Sequence, residues 1–249
     1  MKNIIIIAFL TAIAISCNAQ KINETAVTFL VDATEKPIFD AIEADFNQNL
    51  NYFFNNTSTG NIDFGQRLTI RMGVIEESDN FTLQSRSIAL TDRRVSRQQA
   101  ERLRNPRPLL ELIRDELARY KELSNTTMTS SPIIDVTLKA FREMNTEARE
   151  ILVICTDGLE YSNYGNFYRN IPTTEQSVEQ FIGELDVLLL AEVKDKVDFT
   201  DPEVIIVLKA NSKARESTTQ LKLFYNEFLR QLGVGTVRFI DNLSNNPNL

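Results

Sequence analysis

Three stretches of the chain are apolar without alternation: AVTFLVDA (26–33), EILVICTDG (150–158) and EVIIVLKA (203–210). A continuous apolar run of this length predicts a strand buried on both faces, as in a parallel sheet. Between these runs the apolar residues recur at helical spacing. Pro37 opens a helix to about residue 54, with Ile38, Ala41, Ile42, Asp45, Phe46, Leu50 and Phe53 on the 3.6 period. RLTIRMGVIE (67–76) alternates as a strand does, and FTLQSRSIAL (81–90) reads as its hairpin or edge partner. Pro108 starts a helix to about Leu123, and Pro132 another over Ile133, Val136, Ala140, Phe141 and Met144, with Ser131 as its natural N-cap. Residues 173–189 predict one helix, 216–233 another that ends on Gly233, and GTVRFID (235–241) the last strand.

Buried strands alternating with amphipathic helices predict an α/β fold. The expected form is a doubly wound, mainly parallel six-stranded sheet with helices on both faces and one antiparallel edge strand. No repeat and no long linker divides the chain.

The segment before the first strand differs in kind. Lys2 precedes the apolar run IIIIAFLTAIAI (4–15), too short for a permanent membrane span and suited to the core of a signal peptide, expected over residues 1–19. Ala14-Ile15-Ser16-Cys17 resembles the lipobox of bacterial lipoproteins, in which the cysteine is lipidated. That predicts a periplasmic or outer-membrane lipoprotein that meets the membrane through its lipid anchor only. Cys17-Asn18-Ala19 before Gln20 also fits cleavage after small residues, which would give a secreted or soluble periplasmic protein. With Cys17 lipidated, Cys155 has no disulfide partner in the chain, and its place inside ILVICTD suits a small buried hydrophobe.

Composition narrows the chemistry. The 249 residues contain no His, which removes imidazole as base or ligand and with it most zinc sites and His-based triads. A net charge of −7 argues against binding nucleic acid or anionic lipid through the whole surface. The basic exception is 91–108, with Arg93, Arg94, Arg97, Arg102, Arg104 and Arg107. It reads as a solvated helix with Asp92 and Glu101 interspersed; the alternative is a patch for nucleic acid or an acidic partner. No aromatic residues interleave with these arginines, so no specific nucleic acid is expected.

In open α/β sheets, ligands bind beyond the carboxyl ends of the strands, where strand order reverses. Three segments are expected there: Asp32-Ala33-Thr34; a hydroxyl-rich loop with Thr126, Thr127, Thr129, Ser130 and Ser131; and Thr156-Asp157-Gly158. Two carboxylates with several hydroxyls suit a hard octahedral cation such as Mg²⁺.

VTFLVDATEK and ILVICTDG, in this order with the hydroxyl loop between them, resemble the von Willebrand factor A-like domain over most of residues 26–241. Residues 20–249 would then form one such domain. The resemblance implies a metal-ion-dependent adhesion site from Asp32, Thr34, a loop hydroxyl such as Ser130, and Asp157. It also implies a protein partner, whose carboxylate often completes the metal shell. Lys36 stands where that family has its second Ser. Three arrangements are open. The Lys36 ammonium replaces the metal between Asp32 and Asp157; a weakened Mg²⁺ site survives; or Lys36 points to solvent, and Asp32 is then also open to a purely structural role. The expected cofactor is none, or weakly bound Mg²⁺.

The resulting expectation is a non-enzymatic protein-binding module tethered to the bacterial cell envelope, with a degenerate adhesion site. Tyr161, Tyr164, Phe167 and Tyr168, beside Asp157, would anchor the partner, unless these rings pack under their own loop. One alternative is a structural component of an envelope or DNA-transfer assembly, with residues 93–107 as its contact surface. Another is a Mg-dependent phosphotransfer enzyme with a strand-end Asp as nucleophile. Thr34 stands where such enzymes carry a second Asp, and no P-loop, serine elbow or dinucleotide glycine motif occurs.

Overall fold

The computed structural model describes residues 23–56, 65–76, 81–90, 96, 105–125, 130–209 and 212–245. Cys17, Arg93, Arg94, Arg97, Arg102, Arg104, Thr126, Thr127 and Thr129 lie outside them. The central strand β1 (Asn23–Asp32) is flanked by β2 (Gln66–Ile75) and β4 (Ala148–Thr156), both parallel to it. β5 (Glu203–Leu208) and β6 (Thr236–Ile240) continue the parallel sheet beyond β4, and β3 (Gln84–Leu90) pairs antiparallel on the β2 edge. The order is β3-β2-β1-β4-β5-β6, a doubly wound α/β sheet with its antiparallel strand at one edge, as the hydrophobic pattern predicts.

Alternation along the strands sends successive side chains to opposite faces. Val27, Phe29 and Val31 of β1 with Ile151, Val153 and Cys155 of β4 enter one core, under α1 (Lys36–Asn56) and α2 (Arg107–Ser124). Leu30 with Leu152 and Ile154 enters the other, under α3 (Ile133–Arg142), α4 (Glu175–Gly183), α5 (Val187–Thr200) and α6 (Ser212–Gln231). By the same parity, Asp32 and Thr156 end their strands on this second face, one step past the Val31–Cys155 pair.

Two expectations about helices need correcting. Residues 173–189 form parts of two helices, not one. α4 ends at Gly183, and Asp186 starts α5 by accepting from the N–H groups of Leu188 and Leu189 at 2.8 and 3.0 Å. Ser131 does not cap α3. Its backbone forms a two-way bridge with Tyr161 instead, and the Ile134 N–H donates to the Glu160 carboxylate at 2.9 Å. Gly233 does end α6 as expected. It sits at φ +99°, with Gly233 N–H on Arg230 O and Val234 N–H on Leu229 O, the paired bonds of a Schellman cap.

Two buried carboxylates, Asp45 and Glu150, have cationic partners. Asp45, which follows the helical stripe of α1, accepts from Lys209 Nζ at 2.7 Å, Asn49 Nδ2 at 2.6 Å and the Leu243 N–H at 3.2 Å. It thereby joins α1 to the residue after β5 and to the C-terminal turn Leu243–Asn245. Arg71 of β2 reaches both oxygens of the fully buried Glu150 of β4 at 3.0 Å across β1. Arg71→Met leaves Glu150 without its cation and should lower stability by about 3–5 kcal/mol, seen as a lower urea midpoint. In Arg71→Met/Glu150→Met much of that loss should return, because no unpaired charge remains.

Candidate binding site at the end of the central strands

The connection from β1 runs to α1 on one face and the connection from β4 to α4 on the other, so a crevice opens between their carboxyl ends. Asp32 lies in it, 1% exposed. Its Oδ1 accepts from the Thr34 N–H at 3.0 Å and the Thr34 hydroxyl at 2.6 Å, and its Oδ2 accepts from the Thr156 hydroxyl at 2.6 Å. Thr34 and Ser131 hydroxyls stand 3.4 Å apart. Asp157 is also buried, 4% exposed, and accepts from the Leu159 N–H at 2.8 Å. Gly158 follows at φ +82°, where a Cβ would also meet Leu208, Leu221 and Tyr225 at 3.2–3.4 Å. Only glycine fits both the backbone and the space.

Burial raises the pKa of Asp32, against the pull of its bonds from Thr156 and Thr34. Burial also raises that of Asp157, with the charge of Asp32 adding to it. Burial and like charge thus push both carboxylates toward the protonated form. Glu35 adds a further negative charge and pushes both in the same direction.

The cation expected from Lys36 is absent from this pair. Lys36 lies on the outer side of α1, its side chain 49% exposed, with its ammonium 2.6 Å from both oxygens of Asp40 one helical turn on. Of the three arrangements, the structure has the outward lysine.

A cleft of about 540 Å³ opens beside the carboxylates, lined by Thr34, Glu35, Ser130, Ser131, Tyr161, Asn166 and Tyr168. Tyr161 and Tyr168 are 45% and 36% exposed and meet edge to face with centroids 6.3 Å apart. The Tyr168 hydroxyl donates to Glu35 Oε1 at 2.7 Å. The other two members of the expected aromatic anchor set are placed differently. Phe167 is buried against Phe181 and Phe224, with centroids 6.0 and 4.6 Å away, so it holds the loop down and is no surface anchor. Tyr164 is half-buried against the same core.

Sequence reasoning named Thr156 only as part of a strand-end segment and did not single out Glu35, Asn166 or Glu160. Thr156 ends β4, where alternation could have placed it, and Glu35 lies in the bend between β1 and α1, beside the selected Thr34 and Lys36. Glu160 and Asn166 lie in an irregular loop with no period to read. Glu160 is fully buried, and burial pushes its pKa up to about 8, opposed by the Ser162 hydroxyl and the N–H groups of Ile134 and Ile133. Cys155 is buried, and desolvation holds its thiol far above the usual range.

No protein-family model and no curated protein matches the chain. Among solved structures, the crystal structure of the human COPII-coat protein Sec24c aligns over 88% of this chain and 30% of that one, at 12% identity and a TM-score of 0.39. The chain thus spans less than half the length of that protein.

Glu160 makes stability depend on pH in a definite direction. Unfolded, it loses its proton near the ordinary 4.5; folded, it holds the proton to about 8. Between those values the native state binds more protons, so stability falls as pH rises through that window. Glu160→Gln should reduce the negative slope of unfolding free energy against pH by about one proton across pH 5–8, measured by urea titration at a series of pH values. An unchanged slope would mean that Glu160 is ionised in the folded protein.

Proposed function

We propose that the protein is a non-enzymatic protein-binding module of von Willebrand factor A-like type, held at the bacterial cell envelope by lipid on Cys17. Its docking surface is the cleft beyond β1 and β4. The observation that carries this reading is the convergence of Asp32, Thr34, Ser131 and Asp157 at the strand ends beside a cleft walled by two exposed tyrosines. Exposed aromatic rings over a buried polar floor are the composition of an interface anchor.

Residues that could act as nucleophiles are poorly placed for it. Both oxygens of Asp32 accept hydroxyl hydrogen bonds, and the Cys155 thiol is raised by burial in an apolar core. The oxygens of Asp32, Thr34, Ser131 and Asp157 are hard donors and would hold a cation such as Mg²⁺. Its charge would let both carboxylates ionise. In this reading the site is degenerate because Lys36 stands where the resembled pattern has a hydroxyl. Calorimetric titration should therefore find weak Mg²⁺ and Mn²⁺ binding that Asp157→Asn abolishes and Lys36→Ser strengthens. Submicromolar affinity in the unaltered chain would contradict a degenerate site.

The docking surface is testable in cells. A photo-crosslinking amino acid at Tyr161 should yield a discrete adduct with an envelope protein, and one at the exposed Lys194 of α5 should not. Equal yields at both positions would remove the cleft as the docking surface. Cys17→Ala should move the chain from the membrane fraction to the soluble fraction. Continued membrane association would argue against the lipid tether.

A further inference from the structure

Among the described residues that line the cleft, Glu35 carries the charge and no side chain is basic. Asp32 and Asp157 lie behind it. The neighbouring stretch 124–131, SNTTMTSS, carries no charge either. The nearest lysine of the motif is occupied by Asp40 on the outside of α1.

The polar atoms are mostly acceptors in search of donors. Asn166 lines the cleft as a residue, with its Oδ1 shielded from solvent. Glu35 and the hydroxyls of Thr34, Ser130 and Ser131 can each accept beside it. Tyr161 and Tyr168 present exposed rings at the same mouth. An acidic acceptor, neighbouring hydroxyls and aromatic walls together fit a planar cation with several donors. A guanidinium has that form, and it stacks on tyrosine better than an ammonium does.

We infer that the cleft takes an arginine side chain presented by the protein partner, so that a guanidinium supplies the positive charge that Lys36 does not. This rests on the docking surface proposed above and names the chemistry of its partner. The volume of about 540 Å³ accommodates the side chain with its flanking peptide and lies in the ordinary range of ligand clefts.

The test is calorimetric titration of the full chain with the capped tripeptide Gly-Arg-Gly, its citrulline counterpart and capped Gly-Asp-Gly, in metal-free buffer and with Mg²⁺. Citrulline keeps the shape of arginine and removes the charge. The arginine peptide should bind at least about tenfold tighter than the citrulline peptide, and added salt should erode the preference. Glu35→Gln, a half-buried position at the rim, should remove most of the preference, and Tyr161→Ala should weaken the arginine peptide by a similar factor. Equal binding of the arginine and citrulline peptides, binding of neither, or preference for the aspartate peptide in Mg²⁺ would each overturn the inference. A Tyr161 crosslink that persists alongside any of these results would leave the docking surface standing and remove only the arginine.

Discussion

A carboxylate at the end of a strand buried on both faces must be satisfied on the spot, and Asp32 is such a group. Left bare, a buried carboxylate is destabilising by several kcal/mol. The chain meets this with the Thr34 N–H, the Thr34 hydroxyl and the Thr156 hydroxyl. Each of these bonds also does structural work. The two from Thr34 fold the segment between β1 and α1 back on itself, and the one from Thr156 joins the ends of β1 and β4, the two strands on either side of the order reversal. The floor of the crevice is thus tied together by the groups that satisfy one buried carboxylate. Asp157, the next residue along, then faces the negative charge of Asp32, so burial and Asp32 together push its pKa up.

The same region shows how loop and cleft are coupled. Glu160 receives the Ile134 N–H at the start of α3, and Ser131 and Tyr161 bridge by their backbones. Phe167 anchors the far end of the loop in an aromatic cluster with Phe181 and Phe224. Tyr161 and Tyr168 are consequently presented from a loop fixed on both sides. Rings held in this way lose little conformational freedom when a partner covers them.

Much of the sheet was legible because burial on both faces leaves an unambiguous mark. Before their closing Asp, AVTFLVDA and ILVICTD have no charged position to suggest solvent, and the parallel, doubly wound class then followed from the alternation with helices. Asp32, Thr34 and Asp157 were legible for the same reason, as polar residues that close apolar runs. Failures arose where the outcome depends on contacts distant in sequence. Nothing local distinguishes Phe167 from Tyr168; a neighbouring cluster claims one ring and Glu35 binds the other. Ser131 looked like a cap because serine before Pro132 usually is one, but Glu160, reached only through the fold, takes part of that role. The break at residues 184–186 was hidden because apolar residues on both sides keep a helical spacing across it.

Lys36 illustrates how a local pairing decides chemistry at a distance. A lysine in the first turn of α1 has two acidic directions available: inward to the Asp32–Asp157 pair, or along the helix to Asp40. The inward position requires the ammonium to shed its water in a buried site, which Coulomb attraction offsets only with very good geometry. The outward position keeps the ammonium hydrated, and the i,i+4 spacing brings Asp40 within 2.6 Å with little adjustment. Exposed pairs of this kind contribute little stability, so the contact with Asp40 is a consequence of the hydration cost and not a strong competitor in its own right. The outcome is that a position which carries a metal-binding hydroxyl in the related pattern here adds neither a ligand nor a charge to the crevice. Burial and mutual repulsion therefore still push its carboxylates toward the protonated form.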